Sequence, residues 1–229
     1  MPDKTVLITG SSKGLGRSLA EVFARNQFNV ILHGRDALAL KSAEEAVLRQ
    51  GVRCEVVKGD ITSARTIGRL RVIAARRNLD VLINNAGIYV NEAFRSQDPD
   101  VFRRVIEVNL IAPALLTRQV YSIFQKKRSG LIININSIAG KNGADGEAAY
   151  CASKHGLGGF TKSLQFEANR DNIRVIDIYL GAMNTAMAKG RKDPEKCIRT
   201  EEAAELIFSL CEDYPSMRIG EIDLLRRIY

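Results

Sequence analysis

Thr5-Val6-Leu7-Ile8-Thr9-Gly10-Ser11-Ser12-Lys13-Gly14-Leu15-Gly16 runs from a short apolar strand pattern straight into a glycine-rich turn. Leu15 to Arg25 then reads as a helix. Glycines at such a junction permit a tight turn, close backbone approach to a pyrophosphate and close packing of helix on sheet. The helix N-terminus adds unpaired N–H groups and a partial positive charge. Gly10, Ser12, Lys13, Gly14, Leu15 and Gly16 are therefore candidate dinucleotide-binding residues. The alternative is a glycine-rich tight turn that holds no ligand.

The same alternation continues along the chain. Strand patterns follow at Asn29–His33, Arg53–Val57, Val81–Asn84, Leu131–Asn136 and Arg174–Ile178, with a weaker one at Glu221–Leu225. Their near-continuous apolar runs suit strands covered on both faces, as in parallel sheets. Helical patterns lie between them at Ala37–Gln50, Ser63–Arg77, Asp98 to about Lys127, Ala149–Arg170 and Thr200 to near Asp213. Asp98-Pro99 places a cap and a first-turn proline at one helix start. The pattern predicts an α/β fold, a doubly wound parallel sheet of Rossmann type with about seven strands. With no linker, repeat or low-complexity stretch, residues 1–229 are expected to form a single domain.

The end of the second strand bears on cofactor choice. An acid there accepts hydrogen bonds from a ribose 2′-hydroxyl, whereas arginine neutralises a 2′-phosphate. His33-Gly34-Arg35-Asp36 offers glycine at that point and arginine next, with Lys13 available from the turn. NADP(H) is the expected cofactor, with NAD(H) as the alternative. Asp36 either restores a carboxylate by a one-residue register slip or caps the following helix.

Tyr150 and Lys154 stand four residues apart, so a helix would place phenol and ammonium side by side. A neighbouring cation stabilises the phenolate and lowers a Tyr pKa from its usual value near ~10. The pair is thus a candidate acid/base, and Ser137, at the end of an apolar run, could hold a substrate oxygen beside it. The plain reading of the pair is a surface tyrosine stacked on a lysine stem.

Composition narrows the classes. The chain has 229 residues, 45% hydrophobic and 26% charged, which suits a packed globular core. No stretch approaches the roughly 20 apolar residues of a membrane span, and the N-terminus has no secretory pattern, so a cytoplasmic protein without membrane partners is expected. Cys54, Cys151, Cys197 and Cys211 are scattered, which argues for reduced thiols and no metal site. The net charge of +8 is spread over helix faces and ends without interleaved aromatics. That favours an anionic cofactor or substrate over nucleic acid.

Taken together, Thr9-Gly10-x-x-x-Gly14-x-Gly16, Asn84-Asn85-Ala86-Gly87, Asn109, Ser137 and Tyr150-x-x-x-Lys154 resemble the short-chain dehydrogenase/reductase family, over roughly residues 4 to 185. The resemblance implies a catalytic set of Asn109, Ser137, Tyr150 and Lys154. Tyr150 would exchange the proton with the substrate oxygen and Lys154 would hold the nicotinamide ribose. Ser137 would orient the substrate oxygen, and Asn109 would hold a relay water. Beyond the turn, the implied cofactor residues are Arg35, Asp60, Ile61, Asn85, Ala86, Gly87, Gly181 and Thr185, with Tyr150 and Lys154. Asp60 would meet the adenine, and Asn84 would line the cofactor and steady the sheet.

Two departures stand out. Leu180 occupies the place of the family's usual proline before Gly181, and the chain lacks the usual Asp-Gly-Gly ending. The expected substrate entrance comprises Lys141–Glu147 and a short lid from Ala186 to Lys196, where Lys189, Arg191 and Lys192 could favour an anionic substrate.

The expected activity is an NADP-dependent oxidoreductase interconverting a secondary alcohol and a carbonyl on a small molecule, assembled as a homodimer or homotetramer. A dinucleotide-binding regulator without turnover, or a nucleotide-sugar epimerase or dehydratase that retains its nicotinamide, are the alternatives.

Overall fold

In the computed structural model, residues 4–185, 196–213 and 216–227 are described. The lid segment with Lys189, Arg191 and Lys192 therefore lies outside the described residues. Strands β1 (Thr5–Ile8), β2 (Asn29–Gly34), β3 (Cys54–Lys58), β4 (Val81–Asn84), β5 (Gly130–Ser137), β6 (Ile173–Leu180) and β7 (Glu221–Leu224) form one sheet. Their order is β3-β2-β1-β4-β5-β6-β7 and every pairing is parallel.

Helices α1 (Gly14–Arg25), α2 (Ala37–Leu48) and α7 (Thr200–Ser209) cover one face; α3 (Ala64–Arg76), α5 (Ala112–Lys127) and α6 (Ala148–Arg170) cover the other. Alternate strand residues feed the two cores, as the two-residue period of a strand requires. Val6 and Ile8 pack with Leu19, Phe23 and Ile207, while Leu7 packs with Leu70, Leu116 and Phe124 on the opposite side.

The chain turns from β1 to β2 in one direction and to β4 in the other, so a crevice opens where β1 and β4 end. Asn85 ties the crevice together. Its Nδ2 donates to the carbonyls of Thr9 (2.8 Å) and Gly10 (3.1 Å), while its own N–H donates to Thr9 Oγ1 at 3.0 Å.

The long helix expected from Asp98 is interrupted. After α4 (Pro99–Ile106) a π turn spans Glu107–Ile111 before α5 begins. Such turns recur at functional sites, and Asn109 sits inside this one. Asn84 also differs from expectation, because it is buried within the sheet instead of facing the crevice. Its Nδ2 donates to Asn134 Oδ1 (2.8 Å) and Thr117 Oγ1 (3.0 Å), so it steadies the sheet alone. Leu180 continues β6 in register with Ser137 and Leu224. A proline there would have no N–H for the ladder.

Candidate active site

A cavity of about 890 Å³ occupies the crevice at the carboxyl ends of the strands. The turn supplies its floor: Gly10, Ser12, Lys13, Gly14, Leu15 and Gly16 all line it. Gly10 and Gly14 hold left-handed backbones, with φ of 65° and 54°. A Cβ on Gly16 would lie 2.3 Å from the Gly10 carbonyl oxygen. The turn therefore has no room for a side chain at Gly16, and its backbone packs directly on the Asn85 amide. Lys13, at the N-cap of α1, makes no side-chain cap. A helix N-terminus without a side-chain cap, behind a glycine-rich floor, fits a pyrophosphate.

The other expected cofactor residues meet here as well. Arg35, Asp60 and Ile61 line the end beyond β2 and β3; Asn85, Ala86 and Gly87 follow β4; Gly181 and Thr185 follow β6. Asp60 is already engaged, accepting from Thr62 N–H at 3.0 Å and pairing with Arg104 of α4. Asp36 caps α2, accepting from Ala39 N–H at 3.1 Å, which decides between its two sequence readings. It also pairs with Lys13 at 2.7 Å on the surface.

Ser137, Tyr150 and Lys154 reach the cavity from β5 and α6. Ser137 accepts from Ala139 N–H at 3.2 Å and hydrogen-bonds with Tyr150, so it both caps its turn and touches the phenol. Lys154 is buried and donates to the Ile135 carbonyl at 2.7 Å. Burial lowers its pKa to about 8, opposed by the charge of Asp177.

Two expectations need correction. Burial raises the Tyr150 pKa; its contact with Ser137 works against that, and nearby Glu147 and Tyr89 add to it. Lys154 does not acidify the phenol in this arrangement because its ammonium is drawn to Ile135, 5.9 Å from the ring centroid. Asn109 is buried behind the wall, with Val108 lining the cavity in its place. Its Nδ2 donates to the Ile88 carbonyl (2.9 Å) and Ser153 Oγ (3.1 Å), and its Oδ1 accepts from Ile88 N–H at 2.9 Å. With the side chain so engaged, a relay water would have to bind through the main chain.

Sequence reasoning missed several wall residues. Tyr89 donates to Glu147 Oε1 at 2.7 Å, and its ring meets Tyr150 edge-on at 5.0 Å. Glu147, the last residue of the expected entrance stretch, lies three residues before Tyr150 and does line the cavity. Tyr89 is 58 positions away from its partner and gave no signal. Lys141, expected at the entrance, instead pairs with Glu221 (3.1 Å) and Asp223 (2.6 Å). Leu225 and Arg226 beyond β7 enter the wall near Gly181, whose N–H donates to the Leu224 carbonyl at 2.8 Å.

His33 is another omission. Its Nδ1 accepts from Gly10 N–H at 3.4 Å, and Nε2 pairs with the Gly59 carbonyl at 3.2 Å, which requires the hydrogen on Nε2. Burial lowers its pKa to about 4. An unfolded histidine takes up a proton near pH ~6.5. The fold is thus fully stable above that value and loses stability as pH falls from ~6.5 towards ~4, by roughly 3 kcal/mol at most. Urea unfolding of His33→Gln should show a shallower loss over that window than the native chain. Equal slopes would contradict this role.

The comparisons agree with the geometry. The short chain dehydrogenase family profile matches residues 4–196. The 3-oxoacyl-(acyl-carrier-protein) reductase FabG of Rickettsia felis is 37% identical over 230 residues, covering 95% of this chain and 93% of that protein. A metagenomic short-chain oxidoreductase in complex with NADP superimposes with a TM-score of 0.87 at 27% identity, covering 99% of this chain and 98% of that one. An actinorhodin polyketide ketoreductase with NADPH does so with a TM-score of 0.90 at 25% identity, covering 98% and 96%. A glycine floor for a dinucleotide, a Ser-Tyr-Lys wall and a family match over most of the sequence have one meaning: the chain belongs to the short chain dehydrogenases, oxidoreductases acting on alcohol and carbonyl groups with a nicotinamide dinucleotide.

Proposed function

We propose that the chain is an NADP(H)-dependent reductase that interconverts a small ketone and its secondary alcohol, with Tyr150 as the acid/base. The observation that carries this reading is the convergence of Ser137, Tyr150 and Lys154 on one cavity wall, across from the glycine floor. Bound NADPH would supply the hydride. As negative charge builds on the substrate oxygen, the Tyr150 hydroxyl gives up its proton to it and Ser137 holds that oxygen in place. A phenol kept neutral by burial is a proton donor throughout the neutral range. Lys154 would hold the nicotinamide ribose. Asn109 shapes the wall through Ile88 and Ser153.

NADP(H) is favoured over NAD(H) by Arg35 and Lys13, while the carboxylate of Asp36 works against a 2′-phosphate. Arg35→Ala should weaken NADPH binding by about tenfold or more with little change for NADH. Asp36→Asn should move the other way. It keeps the helix cap, frees Lys13 and tightens NADPH by about two- to fivefold. Fluorescence titration of both cofactors checks the pair. Equal changes for NADH and NADPH would show that these residues do not read the 2′-phosphate.

The similar proteins suggest the first substrates to test: a 3-oxoacyl thioester, a polyketide-like 3-oxo ester and simple ketones. NADPH oxidation with any of them, followed by the loss of reduced-nicotinamide absorbance, supports the assignment. No oxidation across the panel would count against it. Exposed Leu115 on α5 and Phe166 on α6 are apolar positions through which a homodimer or homotetramer would pack. Light scattering that reports a monomer would exclude that assembly.

A further inference from the structure

Lys154 is the one buried cation among the described residues, and Asp177 is the one buried acid. Both act on the same stretch of β5. Asp177 pairs in register with Asn134, and Tyr179 with Asn136, placing both side chains on the face that α6 covers. The Lys154 ammonium binds the carbonyl of Ile135, between those two asparagines. One helical turn further along α6, a Cβ on Gly158 would lie 3.7 Å from Asp177 Oδ2 and 2.7 Å from the Tyr179 hydroxyl. Residues four apart share a helix face, so the carboxyl group sits under the face that carries Lys154. Glycine at position 158 leaves room for the Tyr179 hydroxyl that binds this group.

The carboxyl group is held firmly yet left incomplete. Asn136 Nδ2 donates to Oδ2 at 3.0 Å and the Tyr179 hydroxyl also donates to the group. Oδ1 is buried with no hydrogen-bond partner among the described residues. A buried carboxylate is strongly disfavoured unless an opposite charge compensates it, and the same holds for a buried ammonium. The remaining charges nearby are engaged elsewhere. Glu221 and Asp223 of β7 are bound by Lys141, Lys162 of α6 lies 3.9 Å from Glu221, and the Lys141 ammonium rests 4.2 Å from the Tyr179 ring centroid.

We infer that Asp177 is a positioning residue: a buried counter-charge, locked by Asn136 and Tyr179, that keeps Lys154 protonated and seated beneath Tyr150 while the enzyme turns over. Its catalytic consequence rests on the roles proposed above for Tyr150 and Lys154, but the charge coupling itself does not. Burial pulls the Lys154 pKa down and Asp177 alone opposes that pull. Removing the carboxylate should therefore discharge the lysine at a lower pH.

The test uses the full chain labelled with carbon-13 at lysine Cε, the Lys154 resonance being identified by its loss in Lys154→Met. Asp177→Asn keeps the shape and removes the charge. Its Lys154 midpoint should fall by about one pH unit or more from the native value. The alkaline limb of kcat for ketone reduction should move down with it. Asp177→Ser also removes the charge while leaving an acceptor for Asn136 and Tyr179, so a similar fall is expected. It carries the test should Asp177→Asn not fold. An unmoved Lys154 midpoint in a folded variant overturns the inference, even if thermal stability drops, since a merely structural role would change stability alone. The titration needs no turnover. A chain that reduces no ketone yet shows the midpoint shift would defeat the proposed function and uphold the coupling.

Discussion

Tyr150→Phe is expected to lower kcat for ketone reduction by about 10²- to 10⁴-fold, the usual worth of a positioned general acid. Phenylalanine retains the ring that meets Tyr89 edge-on, so the wall keeps its shape and only the hydroxyl is lost. NADPH affinity should stay within about threefold of the native chain, less than 1 kcal/mol. Steady-state kinetics with a fluorescence-derived Kd separates the two quantities. A variant that keeps most of its turnover would remove Tyr150 from the chemistry. One that loses cofactor binding in parallel would make it a structural residue.

The second large effect belongs to Gly16. In Gly16→Ala the new methyl would stand 2.3 Å from the Gly10 carbonyl oxygen and 2.5 Å from Asn85 Nδ2. Neither can easily withdraw, because that amide is donating to the Thr9 and Gly10 carbonyls. The turn must open, and with it the floor on which the pyrophosphate would rest. NADPH affinity should fall by about 100-fold or more, with about 1–3 kcal/mol lost from stability through overpacking. Gly68→Ala on α3 is the matched control. A Cβ there meets nothing within 4 Å, so it should stabilise the helix by about 0.5–1 kcal/mol and leave binding unchanged. Native-like NADPH binding by Gly16→Ala would show that the turn does not cradle the cofactor.

These two residues also show what was legible in the sequence. The strands could be read because parallel strands buried on both faces are written as unbroken apolar runs. Their ends moved by only a residue or two, as β6 did in reaching Leu180. The glycine turn could be read because its spacing reflects backbone geometry, which is local. The π turn at Asn109 was not read, although Pro113 in the first turn of α5 marks a helix start just beyond it. Asp36 was ambiguous by one residue of register until its bond to Ala39 N–H fixed it as the cap.

Electrostatics was the least legible layer. Four-residue spacing correctly put Tyr150 and Lys154 on one helix, but it cannot say how deeply each is buried or where an ammonium finds its acceptor. Burial turned out to govern both groups, raising the phenol and lowering the amine. The Tyr89–Glu147 pair and the placement of Asp177 against α6 depend on contacts between distant segments. No local pattern encodes them.

Hydride transfer within this cavity is the central claim, and isotope transfer tests it most directly. The native chain should be incubated with NADPH deuterated at C4 of the nicotinamide and with the best ketone of the panel. The product alcohol should then carry deuterium at its carbinol carbon, with one NADPH consumed per alcohol formed. An alcohol without deuterium, or a product formed with no oxidation of NADPH, would contradict the account.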